Sequence, residues 1–193
     1  MAEPDQPSLF DTSPPLPEGF KYEPDVISVD EEQHLVRQVE TLPFKDFEFH
    51  GFHGKRRVVS FGWRYDFNER ELQKADDIPP FLLPLRRRAA EFAALGPDAL
   101  QHVLVTEYGS GAAIGWHRDK AVFAEVVGIS LLAPCRFRLR RKHGGTWQRA
   151  AITLKPRSAY LLTGPSRTEW EHSIPPMEQL RYSITFRNFI EKT

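Results

Sequence analysis

Apolar residues recur at helical spacing in two stretches of the chain. Leu35, Val39 and Leu42 follow Asp30-Glu31-Glu32-Gln33, which reads as a capping box with Asp30 as N-cap and Gln33 at N3, and Pro43 stops the segment. Leu82, Leu85, Ala89 and Phe92 give the stripe of a second helix from about 80 to 95, closed by Gly96-Pro97. Between them, residues 44–67 interleave Phe44, Phe47, Phe49, Phe52, Phe61, Trp63, Tyr65 and Phe67 with Lys55, Arg56 and Arg57. After Leu100 the pattern changes to short β-branched or alternating runs at 101–108, 125–133, 135–141, 147–154, 158–163 and 181–189. Gly, Pro and Ser clusters separate them. Many short strands at this spacing predict an all-β sandwich or jelly-roll barrel with the two helices packed outside, a fold that is α+β and mainly β.

Alternation assigns faces within these strands. Cys135, Phe137 and Leu139 form one side of their strand and Arg136, Arg138 and Arg140 the other, so the arginines face solvent and Cys135 faces the core. In the last strand Arg181, Ser183, Thr185 and Arg187 share one face, and Tyr182, Ile184 and Phe186 the opposite one. If the polar face looks into the barrel, two guanidinium groups sit where a bare charge is expensive. An anionic partner is then required, and a dicarboxylate would serve.

Composition narrows the class. The chain has 193 residues, of which 40% are apolar and 27% charged, the profile of one soluble domain. At this length roughly 70% of the unfolded surface can be buried, so no disulfide is needed. A single cysteine excludes a disulfide framework and a cysteine-based zinc finger, and suits a reducing compartment. Neither a signal peptide nor an uncharged apolar run near 18 residues is visible, so the expectation is a monomer of the cytoplasm or nucleoid with no membrane span. Lys plus Arg and Asp plus Glu both number 26, which argues against an overall basic protein but leaves local patches open. The first 20 residues carry Pro4, Pro7, Pro14, Pro15 and Pro17 and read as a tail, so the domain is expected over 21–193.

The sharpest chemical feature is Trp116-His117-Arg118-Asp119. His117 and Asp119 project to one side of an extended segment, and a second histidine, His172, stands in Glu171-His172-Ser173-Ile174-Pro175. Two imidazoles and one carboxylate on one face of a metal form the facial triad of non-haem Fe(II) oxygenases, which leaves sites open for cosubstrate and dioxygen. Taken alone, a His-x-Asp pair is common by chance. His34, His50, His53, His102 and His143 have no matching ligand spacing and read as surface or partly buried histidines. Trp116 and Trp170 flank the candidate ligands, either as walls of a site or as ordinary packing.

With its C-terminal strand Arg181-Tyr182-Ser183-Ile184-Thr185-Phe186-Arg187, Tyr108 nine residues before His117, and His172-Ser173-Ile174-Pro175-Pro176, the chain resembles the AlkB-like Fe(II)/2-oxoglutarate-dependent dioxygenases. The resemblance covers about 100–190 well and 20–70 loosely. It implies a double-stranded β-helix (jelly roll) with flanking N-terminal helices, and Fe(II), 2-oxoglutarate and O2 as cofactors. His117, Asp119 and His172 would bind iron. Arg181 would pair with the distal carboxylate of 2-oxoglutarate, helped by Tyr108, while Arg187 would lie near the metal-binding end. Thr106 and Ser183 stand where members of the family carry Asn, and both keep a hydrogen-bonding group. Ala121 replaces an acidic residue found two places after the aspartate ligand in the better-known bacterial demethylases, which leaves base preference open.

The implied reaction is oxidative removal of an N-methyl group as formaldehyde, with succinate and carbon dioxide as co-products. Residues 44–70 would be a substrate lid, in which Phe52, Trp63 and Tyr65 stack a flipped base and Lys55, Arg56 and Arg57 hold phosphates. Arg86-Arg87-Arg88 and the Arg136–Lys142 strand add basic surface. Three readings stand beside one another: dealkylation of nucleic acid as alkylation-damage repair, the same chemistry on a protein or small molecule, and a jelly-roll binding module without catalysis. Gln6-Pro7-Ser8-Leu9-Phe10 is similar to the short peptide that docks on bacterial sliding clamps, which makes such a clamp a candidate partner of the tail.

Overall fold

The computed structural model describes residues 15–49, 52–66 and 71–190. The candidate clamp peptide Gln6–Phe10 therefore lies outside the described residues. Thirteen strands and three helices are present among those described. A large antiparallel sheet takes β1 (Phe20–Glu23), β11 (Ala159–Leu162), β8 (Phe123–Leu132), β13 (Arg181–Phe189), β6 (His102–Tyr108), β3 (Phe52–Phe61) and β2 (Lys45–Phe49), in that spatial order. A smaller sheet takes β10 (Thr146–Leu154), β9 (Cys135–His143), β12 (Glu171–Ile174) and β7 (Ile114–His117). Strands β4 (Trp63–Asp66) and β5 (Glu71–Lys74) pair separately. Helices α1 (Val29–Val39) and α2 (Leu83–Phe92, entered by a 3-10 turn at Pro80–Leu82) precede most of the sheet, and α3 (Gly164–Thr168) follows β11.

Burial settles the parity of β13. Tyr182, Ile184 and Phe186 share a core with Leu35 and Val39 of α1, Leu85 and Ala89 of α2, and Val127, Ile129 and Leu131 of β8. Each such side chain removed from water contributes roughly 1.5–3 kcal/mol, so this layer fixes the outer face of the large sheet. The polar set of β13 is thereby turned inward. The second core lies between the sheets and includes Tyr108, Cys135, Phe137, Leu139, Leu154, Tyr160 and Leu162. The alternation expected of β9 holds, with Cys135, Phe137 and Leu139 buried there.

Several boundaries differ from the expectation. Ser28, not Asp30, caps α1: its hydroxyl accepts from the Glu31 N–H, and Glu31 returns a carboxylate to the Ser28 N–H. The Ser28-x-x-Glu31 spacing is itself a capping box, two residues upstream of the expected one. At the N-terminal side Pro17 is buried and Phe20 opens β1 on the sheet edge. Strands β2 and β3 occupy much of the stretch whose aromatic and basic texture masked its alternation. Gly62 ends β3 with φ +78°, and a Cβ there would stand 2.1 Å from the Gln101 carbonyl oxygen, so the chain turns into β4 only with glycine at that place. No described helix is long and apolar enough to cross a membrane.

Candidate active site

Register brings the two histidines together. His117 and His172 are direct cross-strand partners on β7 and β12, and their ring centroids are 4.3 Å apart. His117 Nδ1 lies 2.8 Å from the Gly115 carbonyl oxygen; a proton there leaves Nε2 with its lone pair. Asp119, just beyond β7, puts Oδ2 3.7 Å from His172 Nε2 and turns Oδ1 toward Arg187 of β13. Arg187 Nε and Nη2 donate to Oδ1 at 2.9 and 2.7 Å. Among the described residues no three His, Cys, Asp or Glu side chains already close around one point. Register nevertheless fixes the approach of the two histidines, Arg187 holds Asp119 beside His172, and two neutral imidazoles with one carboxylate are a donor set suited to a divalent transition metal.

Electrostatics keep each donor in its binding form. Burial pushes His172 down to about 3, and the neighbouring His117 adds to the shift. His117 is lowered by burial as well, against the opposing Gly115 hydrogen bond. The contact between His172 and Asp119 is therefore a neutral imidazole beside a carboxylate, not an ion pair. Burial alone would raise Asp119, but Arg187, then His172 and His117, outweigh it and hold the carboxyl well below the usual range. Metals require deprotonated donors, so no proton has to leave first at neutral pH.

Deeper in the barrel, Arg181 is fully buried. Its Nε and Nη2 donate to the Ser130 hydroxyl at 3.1 and 2.7 Å, its guanidinium stands 5.2 Å from the Tyr108 ring, and Nη1 has no partner. A buried guanidinium with a free donor and no carboxylate beside it fits an acidic ligand group. Thr106 and Ser183 pair across β6 and β13 on the same inward row, between Arg181 and Arg187. The side chains named for a dicarboxylate thus line one face.

The substrate-side residues divide. Arg56 is half-buried, stacks 3.7 Å over Phe47 and donates at 3.4 Å to the Ala113 carbonyl. Lys55 lies against Gly111 in the loop after Tyr108. Arg57 takes the opposite face of β3 and binds Glu107 bidentately at 2.7 and 2.8 Å. Trp63 packs edge-on against Phe189 at 5.8 Å, near the Arg187 end of the site. Phe52 and Tyr65 sit on β3 and β4, and their side chains lie outside the described ones. An open cleft of about 800 Å³ reaches Asp119 and is lined by Arg118, Ala121, Phe123, Glu125 and Arg167 among others, so Ala121 faces it.

Three residues of this neighbourhood escape a reading by ligand spacing. His102 is buried, with Nδ1 3.5 Å from Arg187 Nη1 and its ring 4.9 Å from Phe123. Ser130 receives Arg181. Arg167 of α3 donates to the Lys120 and Phe123 carbonyls and so pins the loop after Asp119. Parity could have found the first: His102, Thr106 and Tyr108 lie on one side of β6.

The buried imidazoles make an acid-stability prediction. His102, like His172, is pushed down to about 3 by burial, helped by Arg187. In the unfolded chain both take a proton near 6.5. Below that pH the unfolded state binds more protons, so stability present above about 6.5 is lost as the pH falls toward 3, by about 1.4 kcal/mol per pH unit for each histidine. The urea midpoint of metal-free protein should therefore fall steadily from pH 6.5 to 4. A flat profile over that range would show both imidazoles charged in the fold.

Comparison with known proteins identifies the family and the fold. Residues 19–187 match the 2OG-Fe(II) oxygenase superfamily. An alkylated DNA repair protein ALKBH8 homolog of Arabidopsis thaliana is 28% identical, over 87% of this chain and 54% of its own length. The tRNA (carboxymethyluridine(34)-5-O)-methyltransferase ALKBH8 of Mus musculus is 27% identical, over 83% of this chain and 25% of its own length. The chain thus spans about half the length of the first relative and about a quarter of the second. The structure of OsALKBH1 superposes with a TM-score of 0.71 at 17% identity, over 90% of this chain and 98% of that one, and shares the fold. With that match across nearly the whole described body, the chain belongs to the 2OG-Fe(II) oxygenase superfamily, a 2-oxoglutarate-dependent Fe(II) dioxygenase similar to the AlkB-like proteins.

Proposed function

We propose that this dioxygenase removes N-alkyl groups from bases in nucleic acid, with His117, Asp119 and His172 holding the metal and Arg181 and Tyr108 the distal carboxylate of 2-oxoglutarate. The observation that carries the reading is the meeting of that trio with Arg187 at the end of an open cleft. When bound, Fe(II), 2-oxoglutarate and O2 supply the oxidation that converts an N-methyl group to N-hydroxymethyl, which leaves as formaldehyde.

The protein's own part is positional. Arg187 fixes one oxygen of Asp119 and leaves the other facing His172. Arg167 immobilises the carbonyls of Lys120 and Phe123, so the segment carrying Asp119 cannot swing into the cleft. Stacked Phe137 backs His172 at 5.2 Å and keeps water from that side. Arg118 lines the cleft and offers a cation to a phosphate backbone, and Lys55 by Gly111 and Arg56 by Ala113 offer two more on β3. The names of the relatives, one a DNA-repair homologue and one a tRNA-modifying enzyme, favour nucleic acid as substrate.

A panel tests this directly: N-methylated single-stranded DNA, the same lesion in RNA, the free nucleoside and a methylated peptide, each incubated with Fe(II) and 2-oxoglutarate. Formaldehyde release is expected from an oligonucleotide and not from the peptide, and Asp119→Ala should abolish it. Release from the peptide alone would overturn the nucleic-acid assignment, and absence of succinate under every condition would overturn the placement of the metal and cosubstrate.

A further inference from the structure

The outer face of the smaller sheet has no task in the site described so far. Cys135, Phe137 and Leu139 of β9 point into the core, so Arg136, Arg138, Arg140 and Lys142 project the other way. Cross-strand pairing sets Arg149 of β10 on one side of Arg140 and Glu171 of β12 on the other. Five cations thus share this face with one carboxylate. Arg141 has the opposite parity and is held by Gln148 and Glu169. An ordinary solvated face intersperses the two signs. Here Arg140 and Arg149 stand directly opposite each other, which costs stability in a sheet and which a bound anion would relieve. Arg136, Lys142 and Arg149 form no ion pair among the described residues.

Two indoles order this charge. The Arg140 guanidinium stands 4.3 Å from the Trp116 ring and 4.3 Å from the Trp147 ring, and its Nε donates to Glu171 at 2.7 Å. Arg138 donates to the Ser173 hydroxyl at 3.0 Å and lies 5.1 Å from Trp116. Trp147 stays 40% exposed. Unpaired cations around an exposed indole suit single-stranded nucleic acid, whose phosphates take the charge and whose bases stack on the ring. An acidic peptide would use the cations and leave the ring idle. The face also meets the cleft, because Glu171, the partner of Arg140, lines the cleft together with Arg118. From Arg136 to Lys142, β9 offers its charges over about 20 Å, room for several nucleotides beyond the one in the cleft.

We propose that the outer face of the smaller sheet is a platform for the single strand that flanks the target nucleotide: Arg136, Lys142 and Arg149 take backbone phosphates, and Trp147 stacks a base. The inference rests on nucleic acid being the substrate, as given under Proposed function. Binding of the full chain to a labelled, unmodified oligothymidylate of about 20 nucleotides is read by fluorescence anisotropy over a salt series. Changing Arg136, Lys142 and Arg149 together to Ala should weaken binding by more than about tenfold at low salt. The slope of log affinity against log salt should become shallower by about 2, at roughly 0.7 for each phosphate contact on a single strand. Trp147→Ala should cost about tenfold with the slope unchanged, and Trp147→Phe should recover most of that loss. Succinate formation without substrate should match the parent in every variant, and Arg149→Thr alone should not lower the melting temperature, since it removes a like-charge pair. Parent affinity and parent salt slope in the triple variant would overturn the platform, as would polyglutamate displacing the oligonucleotide as well as unlabelled oligothymidylate does, which would give the face to an acidic protein. A parent that neither binds the oligonucleotide nor releases formaldehyde from any methylated nucleic acid would instead overturn the substrate reading beneath it.

Discussion

Asp119→Asn is expected to leave the protein folded and to lower succinate formation from 2-oxoglutarate by about 10³-fold or more, beyond the 10- to 100-fold that loss of a metal ligand's outer partner costs. The substitution preserves shape. The amide oxygen can still accept from Arg187, so the barrel loses a charge pair but not its packing. What goes is the anion itself, the carboxylate beside His172. An amide cannot balance the charge of a divalent cation between two neutral imidazoles, so metal retention should fall with turnover. Metal content after gel filtration and succinate yield, measured together, check both halves. Wild-type metal content with wild-type turnover in the variant would remove Asp119 from the site altogether.

The parts of this site that were legible in advance are those set by local parity. Arg181, Ser183, Thr185 and Arg187 had to share a face of one strand, and Cys135, Phe137 and Leu139 a face of another, because side chains alternate whatever the strand pairs with. Which face looked inward was conditional until α1 and α2 were seen to cover Tyr182, Ile184 and Phe186. His102 shows the limit of reading by ligand spacing. Ligand spacing does not distinguish it from His34 or His143; its parity with Thr106 and Tyr108 on β6 and its register opposite Arg187 give it a place. Arg57 shows the same limit from the other side: it neighbours Arg56, yet parity sends it to Glu107 on the far face of β3. The triad itself was visible as residue types, and its convergence depended on β7 and β12 being adjacent, a pairing between segments far apart in the chain.

Arg187→Met should cost the metal-free protein about 3–5 kcal/mol at neutral pH, the usual effect of stripping one partner from a buried ion pair. Both ends of this pair are nearly inaccessible, with side-chain exposures of 8% for Arg187 and 10% for Asp119. Methionine fills much of the space beside Phe123 and supplies no charge, leaving a carboxylate among apolar groups and two neutral imidazoles. The same reasoning fixes a pH signature. In the parent, the lowered Asp119 carboxyl contributes stability that is present above its unfolded value near 4 and is lost as the pH falls below it. Without Arg187 the burial that raises that carboxyl loses its strongest opposing charge, so the stability Asp119 contributes above pH 4 shrinks or reverses in the variant. The stability gap between parent and variant should accordingly be widest near pH 7 and shrink toward pH 4; loss of Arg187, which helps to lower His102 and His172, also eases protonation of both imidazoles in the variant and narrows the gap in the same direction. Adding Asp119→Asn to Arg187→Met should recover part of the loss, because the stranded charge is gone. Urea midpoints of the four proteins at pH 7 and pH 4 close the cycle; a gap that does not change with pH, or a double variant as unstable as the two single losses combined, would mean that Arg187 supports the barrel by packing alone and does not hold Asp119 in place for the metal.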